Sequence, residues 1–262
     1  MLGSGVEFYL VLVIFAIPGI ALGFTVHEYC HAAVATGYGD PTPRRQGRLS
    51  LNPADQVDPL GLVMLLVIGF GFARPVMFNP QYVRTGRQRA WLSAAGPISN
   101  LLVAAGLGVI LRILLATNPW LSTCALPSFN LPVLGFVYWF LVEAFYVNVI
   151  LFVFNLIPIP PLDGFGVAEG LLGSRFPAPF RWAQLHRSGI YIGLILLVLV
   201  VPNLTGGGFS PLSYPLLAAF DGLWSHVVQG PVPTIFFPNL EVLLYQGGSG
   251  FAAALGTPCL VT

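Results

Sequence analysis

Two histidines and a glutamate share one pentad, His27-Glu28-Tyr29-Cys30-His31, inside an apolar stretch. Positions i and i+4 lie on one face of a helix. Two imidazoles so placed can bind one zinc ion, and the glutamate between them can take a proton from a water held there. The chain has four histidines, so half of them stand in this pentad. Ionisable groups are expensive inside a membrane helix and are functional by default when they occur there. A pair of packed, hydrogen-bonded histidines is the plainer alternative.

Catalytic zinc usually takes three protein ligands and keeps one position open. The carboxylates inside apolar sequence that could supply the third ligand are Glu143, Asp163 and Glu169. Asp163 closes the run Asn155-Leu-Ile-Pro158-Ile-Pro160-Pro161-Leu162-Asp163-Gly164. The prolines end a helix and free backbone groups. In a membrane such freed groups are tolerated only where protein or a wet cavity receives them.

The elements around these residues are set by composition. Of 262 residues, 11 are basic, all of them Arg, and 10 are acidic. The charged share is 8%, against about 25% in soluble domains. Mean hydropathy is +0.81. So few charges cannot cover a soluble surface, which excludes a soluble globular enzyme and a disordered chain. A net charge of +1 gives no basic surface for nucleic acid. Cys30, Cys124 and Cys259 make no CxxC pair, so no Cys-rich metal site follows; a Cys124–Cys259 disulfide stays open. No basic n-region precedes the first apolar stretch, which is therefore read as a span and not as a cleavable signal.

The expected fold is all-α and polytopic, a bundle of about five to six transmembrane helices with a small membrane-dipping β-hairpin or re-entrant loop. It forms a single membrane domain over 1–262, with a catalytic core of 6–204 and a C-terminal helix and tail over 205–262. Apolar segments run from Val6 to Val34, Ala90 to Ala116, Leu131 to Ile157 and Ser188 to Val201. Residues 60–72 are short for a span and favour a hairpin that dips in and returns. Residues 211–228 could add a helix. Arginines gather on the cytoplasmic side of membrane proteins. If 60–72 returns, Arg44, Arg45, Arg48, Arg74, Arg84, Arg87, Arg89, Arg175, Arg181 and Arg187 share that side, and only Arg112 does not. The N-terminus is then outside. The pentad and Asp163 both end their segments on the Arg-rich side, so topology brings them to similar depth.

These residues resemble the site-2 protease family of intramembrane zinc metalloproteases. HExxH is followed 132 residues after His31 by the Asp of an NxxPxPPLDG stretch. Leu51-Asn52-Pro53-Ala-Asp-Gln56-Val-Asp58-Pro59-Leu-Gly61 resembles the family's LNPxxHxDPxG. Gly71-Phe-Ala73-Arg74-Pro75-Val76-Met-Phe-Asn79-Pro80 resembles GWAKPVxxNP, and Ala94-Ala95-Gly96-Pro97-Ile98-Ser99-Asn100 resembles AAGPxxN. The likeness runs from about residue 20 to 200 and implies zinc-dependent peptide hydrolysis in the membrane. It gives His27, His31 and Asp163 as zinc ligands, one Zn2+ per chain, and Glu28 as the general base. It gives Asn155 as a donor to the tetrahedral oxyanion. Asn100 becomes a weaker candidate for lining the site, and Arg74, Pro75 and Val76 a substrate-pairing edge in a membrane-dipping β-loop. Gly96 and Pro97 are read as close helix packing. The implied partners are a lipid bilayer and single-span substrates already trimmed by another protease; the localisation is a prokaryotic cell membrane.

One departure stands out: the family's His in LNPxxHxDP is Gln56, which can hydrogen-bond but cannot titrate. No gap between segments holds a PDZ module, and no CBS pair is seen, so the compact form of the family is expected. The competing class is a non-proteolytic membrane metal-binding or transport protein. A transporter calls for polar residues spread along a path, whereas here they gather at one depth. Glu143, His186, His226 and Cys30 are read as structural or interfacial.

Overall fold

The computed structural model of the protein describes residues 2–68, 71–123, 132–204 and 213–229. These residues are mostly helical. In chain order the helices are α1 (Leu2–Gly37), α2 (Thr42–Arg45), α3 (Pro53–Gln56), α4 (Pro59–Ile68), α5 (Gly86–Thr117), α6 (Val133–Asn155), α7 (Asp163–Leu172), α8 (Pro177–Leu185), α9 (Arg187–Leu204) and α10 (Ser213–Leu223). A 3-10 turn at Pro119–Thr123 follows α5, and a π turn at Trp224–Val228 follows α10. Among the described residues there is no strand, only one antiparallel bridge, Val57 with Ala73.

Three described stretches are long and apolar enough to cross a membrane: Val13–Gly37 of α1, with 25 residues, α5 with 32, and α6 with 23. Each falls on an expected segment. The fourth segment is α9, which includes a shorter apolar stretch, Arg187–Leu197. Helix α10 lies inside the expected 211–228.

Two local features differ from the expectation. Where a β-hairpin or re-entrant loop was expected over 60–72, Pro59–Ile68 is helical. Asp58 Oδ1 accepts the backbone N–H groups of Leu60 (2.9 Å) and Gly61 (3.1 Å), and Pro59 follows it, a side-chain cap with proline at the first helical position. The ends of this segment nevertheless meet, because Ala73 pairs with Val57 and the Arg74 N–H donates to the Gln56 carbonyl at 2.9 Å. Second, α5 starts at Gly86, before the apolar run, because Thr85 and Gln88 form a reciprocal capping box. Cys124 and Cys259, most of the loop after Thr117 and the tail after Gly230 lie outside the described residues.

The chain divides into two compact units, each assembled from separated stretches. One comprises the described residues of Met1–Ile20, Val103–Val149 and Val201–Thr262. In it Phe15 stacks on Phe136 and packs against Phe140, with centroids at 5.5 and 4.5 Å, while Phe145, Phe220 and Trp224 form an aromatic cluster. The other comprises Ala21–Leu102 and Ile150–Val200. It is cored in part by Ala35, Val83 and Leu92, and it holds the pentad, the 51–100 motifs, Asn155 and Asp163.

Candidate metal centre

Helix α1 presents His27 and His31 one turn apart, and Asp163 stands at the first turn of α7, just past the proline-rich run. Asp163 Oδ2 lies 3.0 Å from His27 Nε2 and 3.3 Å from His31 Nε2, and the two Nε2 atoms are 3.1 Å apart. This is the group of His, Cys, Asp and Glu residues among those described whose ligand atoms gather within 4.8 Å.

The far side of each ring decides what these three atoms are. His31 Nδ1 lies 2.7 Å from the Leu92 carbonyl oxygen. A carbonyl only accepts, so Nδ1 carries the proton. His27 Nδ1 lies 2.6 Å from Asn100 Oδ1, and the Asn100 amide is oriented by its Nδ2 donating to the Gly23 carbonyl at 3.1 Å. His27 Nδ1 is therefore also the donor. Two neutral imidazoles so held point bare Nε2 lone pairs at each other and at a carboxylate, with no hydrogen among them. Three electron-pair donors this close need a cation. Zinc–ligand bonds of about 2.0–2.1 Å in a tetrahedron place ligands roughly 3.3 Å apart, close to the separations seen. The donor set therefore fits zinc. With protons there instead, burial raises the Asp163 carboxyl but the two histidines outweigh it and hold it well below the usual carboxylate range. In both forms Asp163 is an anion.

Two glycines let the backbone come this close. A Cβ at Gly96 of α5 would sit 2.5 Å from His27 Nε2 and against His31 Nε2 as well. A Cβ at Gly164 would meet the carbonyls of Leu156 and Ile157, which the turn before Asp163 folds back over α7. Gly96 was expected to serve helix packing; what it packs against is the pair of imidazoles.

Glu28 is 8% exposed, and its Oε2 accepts the backbone N–H of Val76 at 3.2 Å. The segment carrying Val76 is held a second time three residues on, where Asp40 Oδ2 accepts the Asn79 N–H at 2.6 Å. Asp40 is fully buried, and its Oδ1 takes the Thr42 N–H at 2.9 Å. Burial works against its charge, but these hydrogen bonds prevail and lower its pKa. At the segment's start, Gln56 is also fully buried. Its Nε2 donates to the carbonyls of Arg48 and Ser50, both at 2.8 Å, and its own carbonyl receives Arg74. The residue that departs from the family motif thus ties the 48–56 loop together, a task an amide performs without titrating.

The remaining expected residues are placed as follows. Asn100 is fully buried, and its amide is used by His27, a candidate ligand, and by Gly23. Asn155, the last residue of α6, donates one Nδ2 hydrogen to the Leu151 carbonyl at 2.9 Å, a bond within its own helix. Arg74 and Pro75 are exposed and Val76 is half-buried. Of the other acids weighed as a third ligand, Glu169 pairs with Arg89 at 3.3 Å. Glu143 is buried in α6 in the other unit, and its Oε1 has no hydrogen-bond partner. Sequence reasoning missed Asp40 and the Leu92 carbonyl. The Gly39-Asp40-Pro41 turn was a signal for the former; nothing marks a backbone acceptor.

Residues 129–200, which include Asn155 and Asp163, match the family model described as Peptidase family M50. YwhC of Bacillus subtilis (strain 168) is 37% identical over 180 residues, covering 68% of this chain and 78% of that protein. Rip2 of Mycolicibacterium smegmatis is 30% identical over 226 residues, covering 84% and 79%. A relative from Methanocaldococcus jannaschii is 28% identical over 179 residues, covering 68% and 77%. All three are named as zinc metalloproteases. No solved structure matches the chain.

Proposed function

The chain belongs to peptidase family M50, and we propose that its hydrolytic centre is the cluster of His27, His31 and Asp163 with Glu28 beside it. The protein is a zinc metalloprotease of the membrane acting on membrane-protein substrates. The observation that carries the site is the convergence of two Nε2 lone pairs and one carboxylate oxygen within 4.8 Å, with both Nδ1 atoms already committed as donors.

Zinc, when bound, supplies the Lewis acidity that makes water a nucleophile near neutral pH and polarises the scissile carbonyl. The chain supplies the rest. Glu28 accepts the proton as the water oxygen bonds to the carbonyl carbon, and returns it to the amide nitrogen as the C–N bond breaks. The Val76 N–H holds one Glu28 oxygen, leaving the other for that proton. The second Nδ2 hydrogen of Asn155, which its bond to Leu151 does not use, is the candidate donor to the oxyanion. Residues 74–76 follow the single bridge at Ala73 and could add one substrate strand. A transmembrane helix must unwind to be cut, and strand addition holds it unwound.

For the whole chain, the proposed architecture is a single membrane domain of about five to six spans, in which α9 and α10 join the three long helices and the α4 segment dips in and returns. With the α4 segment returning, ten arginines share one side, which supports an N-terminus outside and a centre toward the cytoplasm of a prokaryotic cell. Substrates would be single-span proteins already shortened by another protease. A non-proteolytic metal carrier is the weaker reading, because Glu28 is fixed between the two ligands. Zinc analysis of the purified chain tests the site: one ion is expected in the native protein and none in His27→Ala or Asp163→Asn. Full occupancy in Asp163→Asn removes it from the ligand set.

A further inference from the structure

We propose that the unit carrying the metal centre has a second site, for the phosphate of an anionic phospholipid headgroup. A cavity of about 380 Å³ opens between the start of α5 and the α7–α8 corner, lined by Arg84, Thr85, Arg89, Glu169, Ser174 and Arg181 among others. It holds three guanidinium groups against one carboxylate. That carboxylate is taken: Glu169 pairs with Arg89 at 3.3 Å and also receives the Gln184 amide. Arg84 donates its Nε to the Gln81 carbonyl at 3.3 Å. Neither Arg84 nor Arg181 has a carboxylate partner among the described residues. Guanidinium groups bind phosphate oxygens in forked pairs, so the charge left over in the cavity suits a phosphate. Among the described residues lining the cavity, no acid remains free to receive the ammonium of a zwitterionic headgroup.

The surroundings favour a lipid source over a soluble one. The α7–α8 corner exposes Leu171 (60%), Phe176 (51%), Trp182 (58%) and Leu185 (78%) beside Arg175 and Arg181. Exposed large apolar and indole groups interleaved with arginines mark the level where acyl chains meet headgroups. A phosphate in the cavity would thus have its acyl chains against these side chains. The close approach of α5 and α7 under the cavity is set by Gly86 and Gly170, where a Cβ on either would meet the other's carbonyl oxygen.

The test uses the full chain in nanodiscs of equal parts phosphatidylglycerol and phosphatidylcholine, extracted gently and weighed by native mass spectrometry. The native chain should retain phosphatidylglycerol over phosphatidylcholine by about tenfold, because both carry the phosphate but only the choline ammonium would stand against the guanidinium charge left over in the cavity. The Arg84→Gln/Arg181→Gln variant should lose that preference while keeping its zinc, which shows that it is folded. The Arg44→Gln/Arg45→Gln variant carries the same charge change at exposed residues away from the cavity and the corner, and should keep the preference. Equal loss in both variants would mean diffuse charge attraction and overturn the site. Displacement of the lipid by equimolar inorganic phosphate would assign the cavity to a soluble anion and overturn the lipid.

Discussion

Glu28 Oε2 accepts the backbone N–H of Val76 at 3.2 Å, so the candidate general base is held by a segment 48 residues further along the chain. The bond comes from the backbone, so the side chain at 76 should matter little and the N–H much. Val76→Ala should leave turnover near the native value. Val76→Pro, which has no N–H, should lower kcat by about 10- to 100-fold, the worth of one hydrogen bond to a charged group. Zinc content should not change. Equal effects of the two substitutions would show that the N–H does not orient Glu28.

Through its hydrogen bond to His27, Asn100 would act on a bound metal. Asn100→Ala should weaken zinc binding by about 10- to 100-fold, as loss of an outer partner of a ligating histidine does. Competition against a calibrated chelator measures it. Asn100→Asp keeps an acceptor for His27 Nδ1–H and should restore most of the affinity.

Gly96 should tolerate no side chain. Alanine forms helix better than glycine by about 1 kcal/mol, so Gly96→Ala should keep its circular-dichroism helix signal. Its methyl group would nevertheless land on both imidazoles, and zinc should be lost. Retained zinc in that variant would show that α5 can shift away from the rings.

Asp40 gives the 71–80 segment a pH dependence of known sign. Its pKa is lowered in the folded protein, so its hold on Asn79 is complete above the ordinary carboxylate value and fails as pH falls through the lowered one. At neutral pH, Asp40→Asn should destabilise the segment by about 1–3 kcal/mol. Limited proteolysis should then cut within 71–80 sooner than in the native chain. The difference between the two proteins should shrink only on acidification below pH 3.8.

The parts of the site that were legible in the sequence are those written within one helix or one motif. His27 and His31 follow from helical spacing, and Asp163 from prolines that end a membrane helix at the right depth. What was not legible depends on elements distant in sequence meeting: Asn100 on His27 is a separation of 73 residues, Leu92 on His31 one of 61, Asp40 on Asn79 one of 39. The long helices were legible from hydropathy. Residues 60–72 read as a hairpin because they are short for a span, whereas Asp58-Pro59 caps a helix over Pro59–Ile68. Gln56 departs from the motif in a residue that can hydrogen-bond but cannot titrate, and in the structure it is a satisfied, buried loop tie.

The central claim is that Glu28 moves the proton at a centre held by His27, His31 and Asp163. Glu28→Gln keeps the shape and the Val76 bond but cannot take a proton. The variant should be loaded with zinc and set against a transmembrane reporter peptide beside the native chain. The account predicts full zinc occupancy with cleavage reduced by about 100- to 10,000-fold; native-like cleavage by the zinc-loaded variant would contradict it.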